Sequence, residues 1–169
     1  MIRFAQRLLD WFGDVLFLIM RGYWGFVLAR TGLGKLNNLE RTAGFFESLH
    51  IPMPHANAMI AGCTELVGGT LLMVGLGARP ASVPVAFTMC IALATAFHDE
   101  LMKLFQDPDK VIGADPFLFL LVATVVLAHG PGMLSLDALG AWLARRVKGE
   151  AADGWLRLWV GRSTAERLR

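Results

Sequence analysis

Four long apolar stretches dominate the chain, over about residues 15–36, 55–76, 84–104 and 111–128. Each approaches the roughly 20 apolar helical residues needed to cross a hydrocarbon core of about 30 Å. Short polar clusters separate them. His50-Ile51-Pro52-Met53-Pro54 precedes the second stretch, and Gly77-Ala78-Arg79-Pro80 stands between the second and third. Asp107-Pro108-Asp109 precedes the fourth, and Gly130-Pro131-Gly132 ends it. Proline has no amide hydrogen to give a continuing helix, so these clusters read as ends. None of the runs alternates with period two, and all are too long for barrel strands. The pattern predicts an all-α membrane protein, a four-transmembrane-helix bundle over residues 1–140, followed by a basic amphipathic cytoplasmic tail over 141–169.

Two outer pieces add to this picture. Phe4, Leu8, Trp11 and Phe12 recur at helical spacing, with Arg3, Gln6, Arg7 and Asp10 elsewhere on the turn. The run Trp155-Leu156-Arg157-Leu158-Trp159, with Arg162 beyond it, pairs tryptophan with arginine. Both suit interfacial helices at the N- and C-terminal ends, lying among headgroups or packing on a partner protein. Asp10 and Asp14 before the first apolar run, and Arg21 within it, are unlike a cleavable leader.

Composition supports lipid as the main solvent. Of 169 residues, 55% are hydrophobic and 18% charged, against about 25% charged in an ordinary soluble domain. Mean hydropathy is +0.51. A formal charge of +2 is too mild to imply nucleic acid. The two cysteines, Cys63 and Cys90, lie in apolar runs and carry no disulfide pattern. With four spans, the termini and the 77–80 connection share one side and hold ten Lys and Arg, against five opposite. The richer side is expected to be cytoplasmic.

Ionisable residues inside the spans carry the chemistry. A charge at the bilayer centre costs at least about 2.5–3.5 kcal/mol and so faces protein or a wet cavity. Glu65 shares a helical stripe with Ala58, Gly62 and Gly69. Arg21 shares one with Gly25, Ala29 and Gly32. Small residues let helices approach closely. The two opposite charges are therefore expected to form an Arg21–Glu65 ion pair between the first two spans.

Other constellations are weaker. His50, His55 and His98 fall on one side of the membrane, and imidazoles with carboxylates can hold a metal. Their spacing matches no ligand motif, and no metal site is expected. Gly32-Leu33-Gly34-Lys35-Leu36 looks like a phosphate loop, but Ala29 stands where the first glycine belongs and no Ser or Thr follows Lys35.

Several landmarks recur in a family order: Arg21, then Gly32-Leu33-Gly34-Lys35-Leu36, the amphipathic stretch from Phe45 to Leu49, and the Pro52 turn. Glu65-Leu66-Val67-Gly68-Gly69, Gly75-Leu76-Gly77-Ala78-Arg79 and Gly130-Pro131-Gly132 with Ser135-Leu136-Asp137 follow. The series, over roughly residues 15–140, resembles the DoxX family of small bacterial membrane proteins. The resemblance implies a four-helix bundle in the bacterial inner membrane, associated with redox complexes. Relatives include the membrane subunit of a thiosulfate:quinone oxidoreductase. Quinone is the ligand the resemblance suggests, with Arg21, Glu65 and His98 as the chain's candidate polar contacts. The chain has no evident flavin, haem or iron–sulfur ligands, so no intrinsic cofactor is expected.

Three functions stay open at this point. One is a redox-complex subunit that binds quinone or anchors a redox partner. Another is a structural or assembly subunit that docks other proteins through its terminal segments. The third is a small transporter. Whether the chain itself turns over a substrate is undecided by its residues.

Overall fold

The computed structural model describes residues 2–102, 105–148, 159–161, 164 and 167. Every regular element among them is a helix. In order these are α1 (Ile2–Asn37), α2 (Leu39–Ser48), α3 (Pro54–Val74), α4 (Ala78–Thr95), α5 (His98–Met102), α6 (Pro108–Ile112), α7 (Asp115–His129) and α8 (Leu136–Lys148). By length and composition three segments can cross a membrane: Trp11–Asn37, Pro54–Val74 and Ala78–Thr95. At 1.5 Å per residue, the 15 residues of α7 rise only about 22 Å.

The helix ends differ from the sequence-based spans for local reasons. No break separates an N-terminal interfacial helix from the first span, since α1 is continuous for 36 residues, about 54 Å. The third span begins at Ala78, not residue 84, because Pro80 falls in the first turn, where its missing amide costs little. The fourth is split: α6 stops at Gly113, and α7 restarts with Pro116 in its first turn. The boundary expected at residue 140 falls inside α8. The side chains of Arg3, Phe4, Gln6, Arg7 and Asp10, and all of Trp155, Leu156, Arg157, Leu158 and Arg162, lie outside the described residues.

Two antiparallel pairs build the bundle. In the first, α1 lies directly on α3. A Cβ at Gly25 would sit 2.6 Å from the Met73 amide nitrogen and 2.8 Å from the Gly69 oxygen. A Cβ at Gly69 would sit 2.5 Å from the Ala29 nitrogen, and one at Gly32 would overlap the Leu66 nitrogen. The backbones thus touch where side chains are missing, which is how helices associate without a hydrophobic drive between them. In the second pair α4 packs on α7. The core between the pairs holds Leu28, Leu72, Val85, Met89, Phe119 and Val126. Trp24 of α1 meets Phe119 of α7 edge to face, with centroids 5.8 Å apart.

Residues 75–77 turn α3 into α4. Gly75 (φ 70°) and Gly77 (φ 53°) both take the left-handed conformation that glycine adopts without steric cost. Asp137 closes this turn. Its carboxylate accepts from the Gly77 amide (2.8 Å) and the Ala78 amide (3.2 Å), and its own amide donates to the Gly75 carbonyl (2.9 Å). It therefore caps α4 from a distant part of the chain. Asp137→Ala is expected to cost about 1 kcal/mol, as loss of a helix cap usually does. A thermal melt in detergent reads it, and an unchanged midpoint would contradict the capping role.

The C-terminal residues return to the bundle. Val160 and Thr164 are buried. Arg167 makes a two-pronged ion pair with Asp14 at 2.7 and 2.8 Å.

Candidate functional site

Glu65 lies midway along α3 and is 4% exposed. It faces α1. Lys35 Nζ donates to both carboxylate oxygens at 2.5 Å. The Thr31 hydroxyl stands 2.7 Å from the Leu28 carbonyl and 3.2 Å from Glu65 Oε2, so these two acceptors share its single proton. Thr31 and Lys35 are four residues apart and occupy one face of α1. The Lys35 side chain is about one-third exposed. The ammonium group has three protons, and Glu65 takes two of them.

This triad forms one wall of a cleft of about 640 Å³. The cleft lies between α3 and α4, backed by α1 and Phe119 of α7, with Phe45 and Phe46 of α2 across one end. Below it the two helices are in contact, since a Cβ at Gly68 would overlap Val85. Pro84, inside α4, lines the cleft at this depth, and its ring removes the amide that would bond the Pro80 carbonyl. The lining is mainly aliphatic and aromatic, with Lys35, Glu65, Asp115, Asn57 and four threonines as its polar groups. That combination and volume are typical of small-molecule sites.

Arg21 is elsewhere. It is 1% exposed, beside the α3–α4 turn. Its Nη1 donates to the Pro131 carbonyl (2.8 Å) and its Nη2 to the Leu134 carbonyl (2.9 Å). The acid whose field reaches it is Asp137. The expected Arg21–Glu65 ion pair is therefore replaced by two separate arrangements, and the cause is register. Gly25 faces Gly69 and Gly32 faces Gly62, so Arg21 falls beside Gly75. Gly75 is ten residues along from Glu65, about 15 Å. Ala58 and Gly62 are buried on the same face of α3 as Glu65.

The histidines do not converge. His98 is exposed at the start of α5 and does not line the cleft, so it cannot serve as the quinone contact expected of it. His55 Nε2 lies 3.0 Å from Glu40 Oε2, both exposed. His50 is exposed with a positive φ after α2. Among the described residues no three His, Cys, Asp or Glu side chains come together. Cys63 and Cys90 are both exposed thiols.

Lys35 and Thr31 were not singled out by the sequence reading. A signal was available in the spacing: Lys35 is fourteen residues, two heptads, after Arg21, and so shares its stripe.

Fold and site together define a multi-pass helical membrane bundle with a polar pair at the wall of an apolar cleft. The DoxX profile matches residues 16–99. A Bacillus subtilis (strain 168) protein named "Putative oxidoreductase CatD" is 35% identical over 120 residues, which is 71% of this chain and 83% of that relative. The chain belongs to the DoxX family. No solved structure matches it.

Proposed function

We propose that this protein is an integral membrane subunit of a quinone-linked redox complex in the bacterial inner membrane, with both termini cytoplasmic. Its quinone site is the α3–α4 cleft. The observation that carries this reading is the Lys35–Glu65 pair, its carboxylate buried, on the wall of a mainly apolar cleft between two helices long and apolar enough to cross a membrane. The relative's oxidoreductase name agrees with it.

The donor set fits the ligand. A quinone needs an apolar slot for its ring and a donor for a carbonyl oxygen. Phe87, Met89 and Phe119 offer the first, and the remaining Lys35 Nζ proton the second. A bound quinone supplies two-electron, two-proton chemistry. Lys35 Nζ orients the ring by donating to a carbonyl. Glu65 holds the Lys35 ammonium in place through its two carboxylate oxygens. Thr31 fixes the carboxylate. The aromatic lining excludes water.

The test is direct. The protein is purified in mild detergent and its bound quinone is extracted and quantified. Lys35→Met and Glu65→Gln are each expected to lower occupancy at least tenfold while the protein still elutes as a folded species. Occupancy unchanged in both variants would remove the cleft as the site.

A second reading has its own support. α8 leaves Leu139, Leu143 and Val147 exposed, a face that suits a neighbouring subunit. Under this assembly reading, a co-purifying complex would stay intact in Lys35→Met and dissociate in Leu143→Glu.

A further inference from the structure

The geometry points to a lateral portal: the cleft is entered from the hydrocarbon phase, between α3 and α4, by a ligand that carries a long hydrocarbon tail. This rests on the quinone reading for the identity of the head group, but the direction of entry stands on separate observations.

The first concerns the rim. On the α3–α4 side the exposed cleft-lining residues are Ile60 (62%), Pro84, Phe87 (67%) and Ile91, while Phe45 of α2 and Asp115 at the start of α7 are exposed elsewhere on the rim. The lining residues at the back are closed: Glu65, Ala61, Met89 and Phe119 are all buried. The α3–α4 side of the mouth is thus apolar, with the buried Glu65 carboxylate behind it and Lys35 about one-third exposed. A site for a water-soluble substrate would present the reverse order, because polar groups would strip its hydration shell first.

The second concerns depth. Phe87 is the tenth of the 18 residues of α4, the middle of the helix. Ile60 is the seventh of the 21 residues of α3. Both mouth residues therefore open at hydrocarbon depth and not at a helix end. At the end nearer the α2–α3 connection, Phe45, Phe46 and Leu49 of α2 and Ile51 lie across the cleft. Apolar residues thus line that end as well, and the exposed α3–α4 rim is apolar.

The third concerns what holds the mouth apart. α3 and α4 touch at Gly68 and Val85. Beyond that point Ile60 of α3 and Phe87 and Ile91 of α4 line the cleft. A ring fits between these walls with its head toward Lys35 and Glu65. A tail then leaves past Ile60 and Phe87 into the bilayer. The ligand class is an amphiphile with a compact hydrogen-bond-accepting head and a long alkyl or isoprenoid chain.

The experiment uses the full chain in lipid nanodiscs and two probes with one head group: decylubiquinone and its tail-less methyl analogue. Affinities are expressed as mole fraction in lipid, which removes simple partitioning. The decyl probe is expected to bind at least tenfold more tightly. Ile60→Trp, which narrows the mouth without touching Lys35 or Glu65, is expected to slow its association at least tenfold, and Phe87→Ala is not. Equal affinity for the two probes, with no slowing in Ile60→Trp, would overturn the portal and leave the quinone reading standing. If neither probe binds, the quinone reading falls, and a third measurement still decides the portal. A nitroxide at Ile60→Cys, in a background with Cys63 and Cys90 changed to Ala, is expected to be relaxed more by oxygen than by a water-soluble nickel chelate. The opposite ranking would place the mouth in water and overturn the proposal.

Discussion

Arg21→Met is expected to destabilise the protein by about 2–5 kcal/mol, because two carbonyls lose their donor and each buried unsatisfied group costs about 1–3 kcal/mol. The Pro131 carbonyl is buried and the Leu134 carbonyl partly so, and Arg21 is 1% exposed. Arg21→Lys keeps the charge but only one donor position, so an intermediate loss is expected. Thermal unfolding in detergent reads both. Because about 15 Å of helix separates Arg21 from Glu65, Arg21→Met and Glu65→Gln are expected to add within about 0.5 kcal/mol. A coupling above 1 kcal/mol, or an Arg21→Met protein as stable as the parent, would contradict the assignment of Arg21 to the 131–134 turn. The same turn holds Asp137 near its capping position, so Arg21→Met should also weaken the start of α4.

The second large effect is expected at Gly32. Its Cβ would overlap the Leu66 nitrogen and lie 2.7 Å from the Gly62 oxygen and 2.9 Å from the Glu65 carbonyl carbon. These are backbone atoms of a helix and cannot turn aside as a side chain can. Gly32→Val therefore forces α1 and α3 apart, and a cost of about 3 kcal/mol or more is expected, the upper end of overpacking. The shift also moves Glu65 relative to Lys35, so retained quinone is expected to fall with stability. Gly34 is the control. A Cβ there meets nothing within 4 Å, and Gly34→Ala is expected to be neutral or to stabilise by up to about 1 kcal/mol through helix propensity alone. Equal losses at both positions would mean that α1 and α3 do not touch as described.

The helical class and the long apolar elements were legible because apolar length and proline punctuation are local properties. The faces of contact were legible for the same reason: Gly25, Ala29 and Gly32 form one stripe, and Ala58, Gly62 and Gly69 another. The register was not. Small residues recur every three or four positions on both helices, so sliding α3 by one or two turns still sets small against small. Charge attraction alone favours Arg21 opposite Glu65. The true alignment is settled by contacts outside the two helices, chiefly the 75–77 turn against Arg21 and Ser135. Backbone carbonyls of a Gly-Pro-Gly turn leave no side-chain signature, which hid the partners of Arg21. Lys35 was hidden by its neighbours, since a glycine-rich string drew it into a failed phosphate-loop comparison. His98 was misplaced for a different reason. The third long helix stops at Thr95, and the separate short helix α5 carries His98 away from the cleft.

The acceptors of Arg21 lie 110 and 113 residues further along the chain. At synthesis rates of about 5–20 residues per second, the ribosome needs roughly 6–20 s to deliver them. Until then the Arg21 guanidinium lacks the two carbonyls that accept from it in the folded chain. The α1–α3 contact can close early, since both helices are by then complete, whereas the opposite end is stitched shut last. Closure of the bundle around Arg21 is thus a late event in the synthesis of this chain.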